Sequence, residues 1–228
     1  MYKESTPLAA AQVFLQEIER EQAAALAAIR DHPFVQGVAQ GTISREALRR
    51  FAHAEYWYMR GGVKHFALSI ITTPDLETQR FYQQRLSGEL EYLARFRPFL
   101  HALGLDEQEL DRSWPTPRTL SAVNFLFRIS VESGPADKAI AWYLVGRVFA
   151  ETCRSLHHGL TAHYQMPAEA LHFFDIPHVH STPFVEAIAS IITRYAPTAD
   201  ERAHLRQVAE AIVVYEREFY DALIDDLP

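Results

Sequence analysis

The sequence predicts an all-α protein, a single domain over residues 1–228 built as a bundle of seven to nine helices. Three observations support this. Apolar residues recur at steps of three and four along most of the chain, which puts them on one face of a helix. Helix-start signals precede these stretches: Thr6-Pro7, Ser44, Thr73-Pro74, Thr116-Pro117, and Thr198 with Glu201 three residues on. No window keeps the apolar–polar alternation of a strand. No repeat, low-complexity tract or shift of composition marks a boundary between domains.

The elements follow in order. Leu8, Ala11, Leu15, Ile18, Ala25 and Ile29 line the first helix, which Asp31-His32-Pro33 ends; a short segment then runs to Gly41. Ser44 caps a long helix with the stripe Leu48, Phe51, Glu55, Tyr58, loosened at Gly61-Gly62 and finished near Thr72. Thr73-Pro74 opens a third helix to about Leu103, with a kink expected at Pro98 because the ring removes a backbone donor. Gly104 to Pro115 is expected as an acidic loop, and Thr116-Pro117 opens a fourth helix along Leu120, Val123, Phe127 and Val131. Ser133-Gly134-Pro135 breaks it. The fifth helix, Ala136 to about Tyr164, is apolar nearly all round from Ile140 to Phe149, the pattern of a helix packed on several sides. A short helical piece (Pro167 to Phe174), a turn (Asp175 to Pro183) and a helix to Tyr195 lead to the last helix, striped by Leu205, Val208, Ile212, Glu216, Phe219 and Leu223.

Composition excludes several classes. Hydrophobic residues are 48% and charged residues 22% of 228, enough to bury a core without covalent staples. The one cysteine, Cys153, rules out an internal disulfide and any multi-cysteine zinc or iron–sulfur site. A net charge of −7 with no Lys/Arg cluster argues against a nucleic-acid partner. The first residues lack a charged segment followed by an apolar one, and no run approaches the ~18 apolar residues of a membrane span. A cytoplasmic location with no membrane partner is therefore expected. No phosphate-binding loop and no nucleophile elbow is present.

What remains is polar residues where apolar ones belong. A buried carboxylate is costly unless paired, protonated or metal-bound, so such positions are candidates for chemistry. Glu55 falls between Phe51 and Tyr58, and Glu216 between Ile212 and Phe219. Glu151 on the central helix shares a face with Leu144, Val148, Ser155 and His158. Glu89 lies in line with Leu93, Phe96 and Leu100. The plainer reading of each is a glutamate at a stripe's edge, reaching water or an arginine. Several on separate long helices favour an inward-facing set. His172, His178 and His180 bracket the Asp175 turn; they suit either a metal or a surface or subunit-contact turn. Tyr56, Trp57, Trp142 and Tyr143 suit core or pocket wall, and Cys153 a small buried apolar position.

Over roughly residues 10 to 222 these segments together resemble the TenA/thiaminase II and PqqC group, which has the haem-oxygenase-like helical fold. His32-Pro33-Phe34-Val35 followed by Gly41 looks like the family's "HPF…G" entry to its second helix. Phe51-Ala-His-Ala-Glu55-Tyr-Trp-Tyr58 looks like the helix whose acid, and a tyrosine three later, face the ligand; the family acid is an aspartate, here Glu55. Phe149-Ala150-Glu151 resembles the "Y-A-E" segment, and Glu216-Arg-Glu-Phe219 the "E-x-x-F-W" segment whose first Glu is the thiaminase acid/base.

There are departures. The nucleophilic cysteine of thiaminase II corresponds to Val145, and Cys153 lies on a neighbouring line of the same helix. Without a thiolate the covalent route is lost, so the resemblance implies a TenA/PqqC-like protein that is not a competent thiaminase II. PqqC also carries a Glu with a His seven later, like Glu151 and His158, but Ala54 and Glu216 stand where its basic contacts are expected. Dimetal oxidases of the same fold carry a Glu–His pair that is Glu89 and Phe96 here, and a late motif reduced to His178, Thr182 and Val185.

The resulting expectation is an enclosed acidic pocket for a nitrogen heterocycle. Glu55, Tyr58, Phe149 and Glu89 would bind the ligand, and Glu216, Glu151 and His158 would move protons. No cofactor is expected, and family resemblance implies a homodimer or homotetramer. Two alternatives stand: an iron-dependent oxidase using Glu151, His158 and one of His172, His178 or His180, or a non-catalytic binder on the same scaffold. Whether the chain is a hydrolase, an oxidoreductase or no enzyme is left open.

Overall fold

Local chemistry sets most of the helix ends. In the computed structural model, which describes residues 6–175 and 181–225, Thr6 caps α1 (Pro7–Arg30) by accepting from the Ala9 amide, and Pro7 fills the first helical position. His32 caps α2 (Pro33–Ala39) through Nδ1, which accepts from the Phe34 amide at 3.1 Å, while its Nε2 lies 3.0 Å from the Asp221 carboxylate. The His-Pro-Phe segment thus ties a helix start to the last helix. Ser44 caps α3 (Arg45–Ile71), and Asp75, rather than Thr73, caps α4 (Leu76–Ala102).

The expected acidic loop contains a single helical turn, α5 (Glu107–Leu110), capped by Asp106. The next helix starts later than Thr116-Pro117 suggests: residues 117–120 form turns, and α6 runs Ser121–Glu132. α7 (Pro135–His163) is the central helix, followed by the short α8 (Ala168–Leu171), then α9 (Thr182–Tyr195) and α10 (Ala199–Asp225). The Thr198–Glu201 capping box forms, with the Thr198 amide donating to Glu201 at 2.9 Å and the Glu201 amide to Thr198 at 3.3 Å. The described residues thus hold ten α-helices, two of them four-residue turns, and no strand. Helix α3 runs unbroken through Gly61-Gly62, and α4 through Pro98.

Packing follows the stripes. α3 lies against α4 and α6; α7 is surrounded by α10, α2, α9 and α1. Ala139, Ile140, Ala141 and Leu144 of α7 are fully buried, as its unbroken apolar run requires. Gly159 lets α2 cross α7 closely, since a Cβ there would sit 2.2 Å from the Val38 carbonyl oxygen. The aromatic centre joins Phe34, Phe51, Phe99 and Phe174, with ring centroids 5.0–6.5 Å apart. No helix among the described residues is long and apolar enough to cross a membrane.

Candidate functional site

Helices α3, α4, α7 and α10 do not close completely on one another. They leave a cavity of about 360 Å³, with Phe173 and the first turn of α9 completing its wall. That is within the usual size of small-molecule sites. α3 contributes Glu55 and Tyr58, α4 Glu89 and Tyr92, α7 Trp142, Val145 and Phe149, and α10 Glu216, Phe219 and Tyr220. The periods explain this: Glu55 and Tyr58, Glu89 and Tyr92, and Glu216 and Phe219 are each three apart, hence on one face.

Three carboxyl groups that are buried or partly buried meet in this largely aromatic enclosure, and the exposed Glu91 also lines it. Glu55 and Glu216 are 6% and 5% exposed, and Glu89 is partly accessible. The Tyr58 hydroxyl donates a hydrogen bond to Glu216 Oε1. Glu55 and Glu89 have no hydrogen bond or ion pair among the described residues, so their oxygens are open to whatever occupies the cavity. Burial pushes the Glu55 carboxyl up to about 8, with the neighbouring Glu216 and Glu89 carboxylates adding to the rise. Burial likewise raises Glu89 to about 8, against the pull of Arg85. Glu216 rises to about 7 through burial, held lower by the Tyr58 hydrogen bond. The site therefore presents carboxyls that exchange protons near neutral pH, as acid–base work requires.

Glycine makes room for this. A Cβ at Gly62 would stand 3.1 Å from Glu89 Oε2 and 3.1 Å from Trp142. The residue that was expected to loosen α3 instead admits a carboxylate and an indole against the backbone.

Of the residues singled out from sequence, Glu55, Tyr58, Glu89, Phe149 and Glu216 line the cavity. Glu151 and His158 do not. Glu151 is 29% exposed on its side chain and sits 3.7 Å from Arg30 Nη1 and 3.8 Å from Arg147 Nη2; His158 is exposed. The reason is rotation. At about 100° per residue, Glu151 is about 200° and His158 about 180° round the helix from Phe149, so the cavity face of α7 is the other side. Leu144 and Val148 of the stripe are buried and Val148 lines the cavity, but Glu151 faces Arg30 of α1 and His158 faces solvent. The proton-transfer role expected for these two is therefore corrected: neither reaches the cavity.

Among the described residues no group of three or more His, Cys, Asp or Glu side chains stands close enough to hold a metal ion. His172 is exposed, and His178 and His180 lie outside the described residues.

Val145 lines the cavity where the resemblance places a cysteine. Cys153 is 1% exposed and does not line it; burial and the Glu55 carboxylate hold its thiol well above its ordinary value. It is an unreactive, protonated sulfur. Sequence reasoning passed over Arg85, which lines the cavity from the same face of α4 as Glu89 and Tyr92. The spacing 85, 89, 92 was the signal available for it.

The family model described as TENA/THI-4/PQQC matches residues 19–226. The chain belongs to that family. Among curated relatives, the aminopyrimidine aminohydrolase of Halalkalibacterium halodurans is 26% identical over 108 residues, 47% of this chain and 48% of that one. The aminopyrimidine aminohydrolase of Helicobacter pylori is 25% identical over 141 residues, 58% of this chain and 65% of that one. The chain thus spans about half to just under two thirds of the curated relatives it matches first. Among solved structures, a TenA homologue from Pseudomonas syringae pv. tomato superposes with a TM-score of 0.82 at 15% identity, covering 98% of this chain and 99% of that one. A domain of unknown function from Shewanella denitrificans, described with a heme oxygenase-like fold, gives 0.77 at 18% identity, covering 93% and 92%. The family therefore comes with its haem-oxygenase-like, all-α fold.

Proposed function

We propose that the cavity binds a small aminated nitrogen heterocycle and hydrolyses a carbon–nitrogen bond of it by acid–base catalysis, without a covalent intermediate. One observation carries the reading: three carboxyls without an arginine or lysine ion pair, Glu55, Glu89 and Glu216, face one aromatic cavity. A flat ring with amino groups offers N–H donors to carboxylates and ring nitrogens that accept from a protonated carboxyl. Trp142 and Phe149 supply faces against which such a ring stacks. Family membership and relatives described as aminopyrimidine aminohydrolases point to the same ligand class.

The roles follow from partners. Glu216, lowest in pKa of the three and held by Tyr58, takes a proton from the attacking water. Protonated Glu55 and Glu89 orient the ring, and one returns a proton to the departing amine. The C–N bond breaks, a C–O bond forms, and ammonia leaves with the proton supplied, so no net charge is stranded in the cavity. Val145 explains why water and not a thiol is the nucleophile in this reading. A thiaminase-type displacement through a cysteine is accordingly not expected.

The test is ammonia release and binding by calorimetry with aminopyrimidines bearing ring or exocyclic amino groups. Turnover by the wild type, with Glu216→Gln binding but not turning over, supports the reading. Binding without turnover by the wild type makes the protein a binder on this scaffold, and no binding of any aminopyrimidine overturns the ligand class.

A further inference from the structure

The cavity lining also carries arginines, Arg85 and Arg95. Arg85 lies one helical turn, about 6 Å along the axis, from Glu89 on the same face of α4. It lines the cavity beside Ser181 and Phe184. Its guanidinium lies over the Phe184 ring at 5.4 Å and the Phe81 ring at 6.0 Å from the centroids. Stacking of that kind fixes the plane of the fork. Arg85 Nε is shut off from water with no hydrogen-bond partner among the described residues, and no ion pair within 4.0 Å involves it there. Other arginines of the chain are spent differently: Arg194 on Asp75 and Glu77, Arg206 on Glu17 and Glu21, Arg118 on Glu218. Ser181 precedes α9, makes no capping hydrogen bond with its side chain and also lines the cavity.

A buried donor without an acceptor is costly, and an oriented, stacked guanidinium is suited to planar or tetrahedral oxyanions. From this geometry we infer that Arg85, with the Ser181 hydroxyl, forms an oxyanion subsite, so that the ligand is an amino-heterocycle carrying one carboxylate or phosphate substituent. The inference deepens the function proposed above and rests on it. The heterocycle occupies the end walled by Glu55, Glu216 and Trp142, and its anionic substituent projects along α4 toward Arg85. Arg95 also lines the cavity, over Tyr92 at 5.6 Å, but it is exposed, whereas Arg85 is partly buried. Arg85 is therefore the cation on which the subsite turns.

The test compares three probes by calorimetry: 4-aminopyrimidine-5-methanol, its phosphate ester, and 4-aminopyrimidine-5-carboxylate. Each is titrated into the wild type, Arg85→Gln and Arg95→Gln. The expected result is that the wild type binds at least one anionic probe about tenfold or more tighter than the alcohol, as a charge-assisted pair implies. Arg85→Gln should abolish that preference while leaving affinity for the alcohol within about threefold, and Arg95→Gln should keep the preference. Whether the phosphate or the carboxylate gains more tells which substituent the subsite takes. Equal binding of all three probes by the wild type, or a preference that survives in Arg85→Gln, overturns the subsite and leaves the heterocycle reading standing. Binding of none of the three overturns both.

Discussion

Glu216 and Glu151 make an instructive pair. Both sit on long helices, both are flanked by apolar residues at steps of three and four, and both have a counterpart in the family's motifs. One is 5% exposed, with its carboxyl raised to about 7 and the Tyr58 hydroxyl as its hydrogen-bond donor. The other lies near two guanidinium groups, at 3.7 and 3.8 Å, on the outside of the bundle. What separates them is the surroundings rather than the stripe. α10 turns Glu216 into a gap between four helices, whereas α7 is enclosed on several sides and spends its other faces on Trp142, Val145 and Phe149. Burial among aromatic rings pushes the Glu216 carboxyl toward neutrality.

That contrast can be broken by experiment. The largest effect is expected for Glu216→Gln, which should lower turnover of an aminopyrimidine by about a hundredfold or more, while Glu151→Gln stays within about twofold. Comparable losses in the two variants, measured as initial rates of ammonia release, would erase the distinction. A chemical contrast comes next. Val145→Cys should be alkylated by iodoacetamide within minutes and lose ligand binding, whereas the wild type, whose only thiol is buried Cys153, should react far more slowly in the folded state. Mass spectrometry of the modified protein decides it.

Tyr58→Phe should lower turnover about tenfold by deleting one hydrogen bond to a charged group. Its diagnostic is direction: the tyrosine holds the Glu216 carboxyl down, so the acidic limb of the rate profile should move to higher pH without it. An unmoved limb would detach Tyr58 from Glu216. Stability should show the smaller signature of the same burial. Glu55 is raised from its ordinary 4.5 to about 8, so between these values the folded protein holds a proton that the unfolded chain has released. Its contribution is intact below about pH 4.5 and is lost as pH rises through about 8. Glu55→Gln should therefore match the wild type near pH 5 and exceed it at pH 8.5 by on the order of 1–3 kcal/mol. Thermal melts at the two pH values measure the difference. Glu151→Gln, breaking only solvent-exposed ion pairs, should shift stability by no more than about 1 kcal/mol at either pH.

Much of the helical order was legible because it is written locally. Thr6-Pro7, Ser44 and Thr198…Glu201 start helices where the side chain itself reaches a backbone amide. Thr116-Pro117 misled because a proline after a threonine also suits a turn, and residues 117–120 take that option before α6 begins at Ser121. Pro98 and Gly61-Gly62 do not break their helices: α3 and α4 contact each other along their length, and each glycine has a neighbour that uses the missing Cβ, Val123 over Gly61 and Glu89 over Gly62. Arg85 escaped notice because a lone arginine on a helix face carries no sign of burial until a second helix brings Phe184 against it.

By itself, then, the chain's periodicity determined which residues share a face, and its motifs determined the family and so the fold. Tertiary structure alone decided which faces look into a cavity. A helical stripe is a property of one helix and is settled by backbone geometry within a few turns. An interior gap is a property of several helices at once, and its electrostatics depend on which side chains distant in sequence, such as Glu55, Glu89 and Glu216, are brought to share it.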